Sequence, residues 1–311
     1  MKNLSIDELK TKLSHHNATW EAKETHISLR SDEAKKRMLG RTEPHLSVTF
    51  PTMFFEAGAT LPDFDQEVDW RNRKGINHIT SVKSQESSQA CVSFCTVGVT
   101  ESMAHIEKNI WLDLSEADQH YCSSHGAINS GWNDAEAFDQ IKSRGVCDEA
   151  SFLFETAFPN NDPKYYFTNP EPPHPVCRTI PDRKSKAVKI TTISNFGSNQ
   201  AHIKNHLTYK GPVSATFAVY NDFFSYSSGI YHNVSGTLTG YHCIMVVGYS
   251  EANQCWICKN SWGSAWGMAG YFNIAYGQCM IDDNEKIGIS GVILPSHNKG
   301  IDKAKLSKML Q

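Results

Sequence analysis

The chain has 311 residues, 40% of them apolar and 20% charged, with 12 Pro and 20 Gly, a balance that excludes a wholly disordered, collagen-like or coiled-coil protein. Its length allows about two domains or lobes, with about 75% of the unfolded surface buried. Thirty Lys and Arg against 33 Asp and Glu leave a formal charge of −3, so no global field favours nucleic acid as a partner, and the longest apolar runs, such as Cys243 to Val247, are far short of the roughly 20 residues that cross a bilayer.

The first residues carry acids and lack the apolar core of an export signal, so the chain is either cytosolic or has lost its signal. Ser5-Ile6-Asp7-Glu8 is a capping box, and Ile6, Leu9 and Leu13 follow at helical spacing, which predicts a short amphipathic helix whose apolar stripe must dock on something. Ser31 to Arg41 reads as a second helix stopping at Gly40, followed by an extended linker over Glu43 to Pro62 punctuated by Pro44, Pro51, Gly58 and Pro62. Residues 1–60 thus read as an appendage to a domain covering 61–295.

Core-like sequence begins near Leu61. Val92, Cys95, Val99, Met103 and Ile106 mark a buried helix over Ala90 to Ile106. Ser115-Glu116-Ala117-Asp118 starts another, and Asn133-Asp134-Ala135-Glu136 a third that turns Ala135, Phe138 and Ile141 inward and ends near Gly145. From about residue 185 the pattern is strand-like: Ala187 to Thr192, Val213 to Tyr220, His242 to Tyr249, Cys255 to Asn260 and Gly270 to Ala275. A helical lobe (61–184) followed by a sheet-rich lobe (185–295) is an α+β arrangement, and a cleft between two lobes is a common ligand site. Asn169 to Pro175 reads as a stiff surface loop, residues 296–311 as a tail, and its end from Lys303 to Gln311 as a frayed helix.

Nine cysteines leave at least one thiol unpaired within one chain. Cys91 lies at a predicted helix start, where unpaired N–H groups and the helix dipole favour a thiolate. Taken alone, it reads as a buried core cysteine sooner than as a nucleophile, because free cysteines are commonly buried. Cys255-Trp256-Ile257-Cys258 has the spacing of a redox or zinc pair, but in a strand residues three apart face opposite ways, so both read as core. The 14 histidines show no ligand spacing, and neither metal nor cofactor is expected.

The context of Cys91 decides between the readings. Asp69-Trp70-Arg71, Val82-Lys83-Ser84-Gln85, Cys91, Gly240-Tyr241-His242 and Lys259-Asn260-Ser261-Trp262-Gly263-Ser264-Ala265-Trp266-Gly267 stand in one order along the chain. This set resembles the papain family of cysteine proteases over about residues 61 to 290. The resemblance implies a two-lobed fold with Cys91 as nucleophile, His242 as proton acceptor and later acid, and Asn260 as orienter of the imidazole. It also implies Gln85 as an oxyanion donor with the Cys91 backbone N–H, and Trp262 as a shield over the His242 to Asn260 bond. Cys122 and Cys177 match a family disulfide, whereas the positions of another are Ser88 and Ile128.

Asn17 to Ala22 is similar to the short propeptide of cathepsin B, so residues 1–60 are expected to be an inhibitory prosegment whose Glu43 to Pro62 stretch threads the cleft. Substrate-contacting positions are expected at Gly131, Ser130, Trp132, Thr216, Gly240, Tyr241 and Asn284, with Asp283 and Glu285 nearby. The expected partners are protein or peptide substrates, and a monomer is expected. The stretch from Gly145 to Cys177 is longer than in papain, but only His174 stands where cathepsin B carries paired histidines in its occluding loop, which favours endopeptidase over dipeptidyl carboxypeptidase. A catalytically inactive binding protein and a thiol acyltransferase are the competing readings. Prosegment and disulfide together point to export, with a cytoplasmic or lysosome-like compartment as the alternative, and Asn17-Ala18-Thr19 and Asn233-Val234-Ser235 are glycosylation sequons.

Gln89-Ala90 and Ser130-Gly131 replace small residues of the family in the S1 wall, where side chains take volume from the substrate. Gln89→Gly is expected to change the residue preference on a peptide library. An unchanged profile removes Gln89 from the S1 wall.

Overall fold

The computed structural model describes residues 4–43, 64–124, 131–161 and 177–295. The linker from Pro44 to Pro62, Ile128, Ser130, the loop with His174, and the tail from 296 lie outside the described residues.

Helix α1 (Ile6–His15) starts with the full capping box, Ser5 accepting from the Glu8 N–H and Glu8 from the Ser5 N–H, and buries Leu9 and Leu13. Strand β1 (Trp20–Ala22) then adds to the edge of the main sheet, antiparallel to β5 (Tyr226–Tyr231). Trp20 is buried between Tyr226 and Tyr231 and donates its indole N–H to the His232 carbonyl at 3.0 Å. Gly229 makes this docking possible: a Cβ there would lie 2.2 Å from the Thr19 carbonyl oxygen. Helix α2 (Asp32–Arg37), capped by Ser31, is shorter than its sequence suggests. The chain leaves it because the backbone from Gly40 to Thr42 bonds to Trp132 and Tyr241 instead of continuing the turn.

The helical lobe holds α3 (Cys91–Lys108), α4 (Glu116–Ser123, capped by Ser115) and α5 (Asp134–Ser143, capped by Asn133). Helix α3 is buried on every side from Cys91 to His105, as expected of a helix enclosed between layers. A small apolar cluster of Phe94, Tyr121, Phe152, Phe154 and Phe158 fills this lobe beside it, and Cys122 and Cys177 form a disulfide at its edge.

The other lobe is one strongly bonded sheet. Besides β1 and β5 it comprises β2 (Glu67–Asp69), β3 (Thr192–Asn195), β4 (Val213–Tyr220), β6 (Leu238–Ser250), β7 (Cys255–Lys259), β8 (Tyr271–Ala275) and β9 (Lys286–Ser290). Among the described residues the order is β1-β5-β8-β7-β6-β4-β9-β3, with β2 also on β6. All pairings are antiparallel except β5 with β8. Cys255 and Cys258 lie on β7 as buried free thiols.

Two short helices also occur between the lobes' main elements, α6 (Arg183–Lys186) and α7 (Gln200–Tyr209, capped by Asn199). The expected strand over Ala187 to Thr192 is displaced: only bridges at Val188 and Lys189 form there, and the strand proper begins at Thr192 where β9 supplies partners. Asn233 of the second sequon has its side-chain amide bound to both Asp222 carboxylate oxygens, at 3.1 and 3.2 Å, and to the Ser235 carbonyl. It braces the β5–β6 connection.

Trp20→Ala removes the largest apolar anchor of the N-terminal segment and is expected to weaken its docking by about 3–5 kcal/mol. Labelling of Cys91 in the full chain at neutral pH should accelerate at least ~100-fold, and an unchanged rate would show that β1 does not hold the segment down.

Candidate active site

Cys91 is the first residue of α3 and is fully buried. It meets β6, the long strand that carries His242 and Cys243, because α3 lies across that strand and Cys95, one turn on, donates its thiol to the Ile244 carbonyl at 3.0 Å. Gln85 reaches the same point on a loop clamped from behind: Lys83 pairs with Glu116 at 2.8 Å, Asp113 at 3.0 Å and Glu101 at 3.5 Å. The loop's other anchor is Ser261, whose carbonyl accepts the Gln85 N–H.

A continuous run of hydrogen bonds fixes the polar side chains. Asn260 Oδ1 accepts the Ser261 N–H at 2.8 Å, which identifies it as the oxygen, and it lies 2.8 Å from His242 Nε2. His242 Nε2 therefore carries a hydrogen, and Nδ1 is left as the ring's basic atom. The Ser261 hydroxyl donates to Gln85 Oε1 at 2.6 Å, turning the Gln85 NH2 toward the cleft. Sequence reasoning placed Ser261 within the Lys259 to Gly267 motif but gave it no role, because its partner Gln85 lies 176 residues away in the chain. The Trp262 ring lies 4.9 Å from that of His242, tilted by 33°, and both are fully buried.

The N-terminal segment crosses this constellation with Met38 to Thr42, earlier in the chain than the expected Glu43 to Pro62 stretch. Gln85 Nε2 donates to the Met38 carbonyl at 3.1 Å, while also bonding the Ser88 carbonyl. The backbone groups of Cys243 and Gly40 lie beside the Cys91 sulfur, where they favour its thiolate. Gly40 lies flat on the Gln89 backbone, where a Cβ would fall 1.7 Å from the Gln89 carbonyl oxygen. The Trp132 N–H donates to the Gly40 carbonyl at 2.9 Å and the Thr42 N–H to the Trp132 carbonyl at 3.2 Å. Trp132 thus pairs with the segment through its backbone, and Gly131, at φ +80° with its Cα facing the Gly40 carbonyl, permits the approach. Tyr241 accepts the Arg41 N–H, and Gly240 makes room for the Leu39 side chain.

Arg41 and Asp134 are further members of the site that the sequence did not reveal. The Arg41 guanidinium enters the pocket beside Trp132 and Thr216, donating from Nε to the Thr216 hydroxyl at 3.0 Å and lying 3.3 Å from Asp134. Asn284, expected among the substrate-contacting positions, has its amide bound to the Thr216 and Met280 carbonyls, and its neighbour Glu285 reaches toward Arg41.

Covering the centre changes its protonation. Burial pushes the Cys91 thiol up to about 12, against the smaller opposite pull of the Cys243 and Gly40 backbone groups, so the effect expected of the helix start is outweighed here. Burial likewise lowers His242 to about 4, opposed by its bond to Asn260 and by the nearby Met38 backbone. In this state both groups are neutral near pH 7.

Residues 64–289 match the family model described as papain family cysteine protease. The chain belongs to the papain family. Mouse (Mus musculus) pro-cathepsin H is 32% identical over 227 residues, covering 70% of this chain and 62% of that protein. A cathepsin B-like cysteine proteinase of Caenorhabditis elegans is 27% identical, covering 74% of this chain and 66% of that protein, so this chain spans less than two thirds of either relative. Cathepsin B of Dictyostelium discoideum is 28% identical, covering 75% and 76%. Among solved structures, a procathepsin B of Trypanosoma congolense superimposes with a TM-score of 0.76 at 20% identity, covering 93% of this chain and 99% of that one. The α+β, two-lobed fold of this papain-family chain is thus shared with that protein.

His242 is neutral when covered, so it favours the covered state above its ordinary value of about 6.5 and withdraws that contribution as pH falls from about 6.5 toward 4. Thiol labelling by 2,2′-dithiodipyridine, corrected with Cys91→Ala, is expected to be slow at pH 7 and to accelerate across that window. A rate at Cys91 that stays flat from pH 7 to 4 would contradict this.

Proposed function

We propose that this chain is a latent cysteine endopeptidase, with residues 1–60 as its prosegment and 61–295 as the peptidase domain, divided near 184 into helical and sheet-rich lobes and followed by a tail from 296. The observation that carries the reading is the convergence of Cys91, His242, Asn260 and Gln85 beneath Met38 to Thr42.

With the segment withdrawn, water reaches the centre and the burial that keeps both groups neutral is relieved, so the Cys91 proton passes to His242 Nδ1 and leaves a thiolate–imidazolium pair. The thiolate attacks the substrate carbonyl carbon, and the resulting oxyanion is held by Gln85 Nε2 and the Cys91 N–H. His242 returns the proton to the departing amine, giving a thioester. A water molecule, deprotonated by the same Nδ1, hydrolyses the thioester and restores the thiol. Asn260 keeps the ring in the tautomer these transfers require, and Trp262 excludes water from their hydrogen bond.

The covered site does not cleave its own cover. The carbonyl of Met38 occupies the Gln85 donor, but the sulfur faces the Gly40 N–H, and neither thiol nor imidazole is charged. The Cys122–Cys177 disulfide fits an oxidising compartment, which supports export or a lysosome-like location. Endopeptidase activity is preferred because His174 lacks the paired histidine of an exopeptidase loop.

Peptide hydrolysis is expected to appear only after limited proteolysis near residue 61 and to vanish in Cys91→Ala. Gln85→Ala, treated alike, should lower kcat by about 10²–10³ while leaving Cys91 labelling intact. No turnover in any form, with Cys91 unreactive, would favour the binding-protein reading.

A further inference from the structure

The seat of Arg41 has a chemistry that the cover alone does not require. Asp134, the first residue of α5, is fully buried. Its Oδ2 accepts the Ser214 hydroxyl at 2.6 Å, and its Oδ1 has no hydrogen bond and faces Arg41 Nη2 at 3.3 Å. Across the guanidinium stands Glu285, 3.9 Å from Nη2, with its other oxygen accepting from Asn195 at 2.6 Å. The remaining Arg41 donors go to the Thr216 hydroxyl and to the carbonyl and hydroxyl of Thr42.

When the segment leaves, Arg41 leaves with it, and a buried carboxylate loses its ionic partner while a second faces the same space. A buried charge stripped of its partner is destabilised far more than an exposed one. Water can solvate an emptied pocket, but an apolar substrate side chain would expel that water and strand Asp134, whereas a cationic one would replace Arg41 group for group. Glu285 supports this: burial and the neighbouring Asp134 hold its carboxyl above the usual range even with Arg41 present.

We propose that this seat is a specificity pocket in which Asp134, with Glu285 opposite, selects a cationic side chain, so that the uncovered enzyme cleaves peptides that place Arg or Lys there. Arg is preferred, because Nε and Nη2 reach the Thr216 hydroxyl and Asp134 together, a geometry a single ammonium does not reproduce. The inference rests on the peptidase reading above and names its substrate class.

The test uses the full chain, folded and then freed of its segment by limited proteolysis, on fluorogenic peptides varied at each non-primed position. One position should favour Arg over Leu by about tenfold or more in kcat/KM, and Asp134→Asn should reduce that ratio by a similar factor, with Glu285→Gln as the second variant should Asp134→Asn fail to fold. A Leu preference at every position, or an Arg preference unchanged in the variants that fold, overturns the proposal. A second arm does not depend on turnover: a synthetic peptide of residues 4–43 should bind the processed chain about tenfold or more tightly than its Arg41→Leu form. Equal affinities overturn the pocket's charge selectivity. Absence of hydrolysis with that affinity difference intact sinks the peptidase reading and leaves the cationic seat standing.

Discussion

Helix α3 lying across strand β6 is the contact on which the site depends. It places the first residue of a fully enclosed helix against the backbone of Cys243 and beside His242, and the Cys95 thiol bond to the Ile244 carbonyl locks the register of helix on strand. Neither element has freedom to shift, because α3 is surrounded and β6 is bonded along its length to β4, β7 and β2. Cys91 and His242 thus come from two lobes yet are held against each other by one helix-on-strand contact, and the loops that bring Gln85 and Asn260 meet at that point.

The N-terminal segment uses that rigidity. Its contacts with the cleft run largely through its backbone: Gly40 and Thr42 pair with the Trp132 backbone and Arg41 with that of Tyr241, and the Met38 carbonyl accepts from the Gln85 side-chain amide. Such bonds require close approach, which explains the small residues on both sides of the interface. Side chains add to this attraction at separated places, among them the aromatic nest around Trp20 and the acidic seat of Arg41. A further ion pair, Arg30 with Glu86 at 2.7 Å, ties the segment to the loop that carries Gln85.

Much of this was readable from the residues. The capping boxes and apolar spacings gave α1, α3, α4 and α5, and Val213 to Tyr220 declared itself a strand by composition. Other elements were hidden for physical reasons. Helix α7 buries chiefly Ile203 and Leu207, with polar Lys204, His206 and Thr208 beside them, too little apolar periodicity to stand out. Strand β9 contains a buried Lys286 whose ammonium is satisfied by the Ile281 carbonyl and Asp282, a pattern that reads as surface in sequence. In the site, the motif residues were visible because each belongs to a dense local pattern, whereas the role of Ser261 within that pattern, and the presence of Asp134 and Arg41, follow only from partners 80 or more residues away in chain order, and no local rule connects them.

On the zymogen reading proposed above, the flat packing of Gly40 on Gln89 bears on how latency can be lost over evolutionary time. Every missense change in a glycine codon adds at least a Cβ, and here that atom would overlap a backbone carbonyl that has nowhere to go. Latency is therefore brittle at a single codon outside the peptidase lobes, while the machinery it restrains is untouched by the same change. A lineage could release this enzyme from control in one step, but could restore control only by returning to glycine or by reshaping the loop at Gln89.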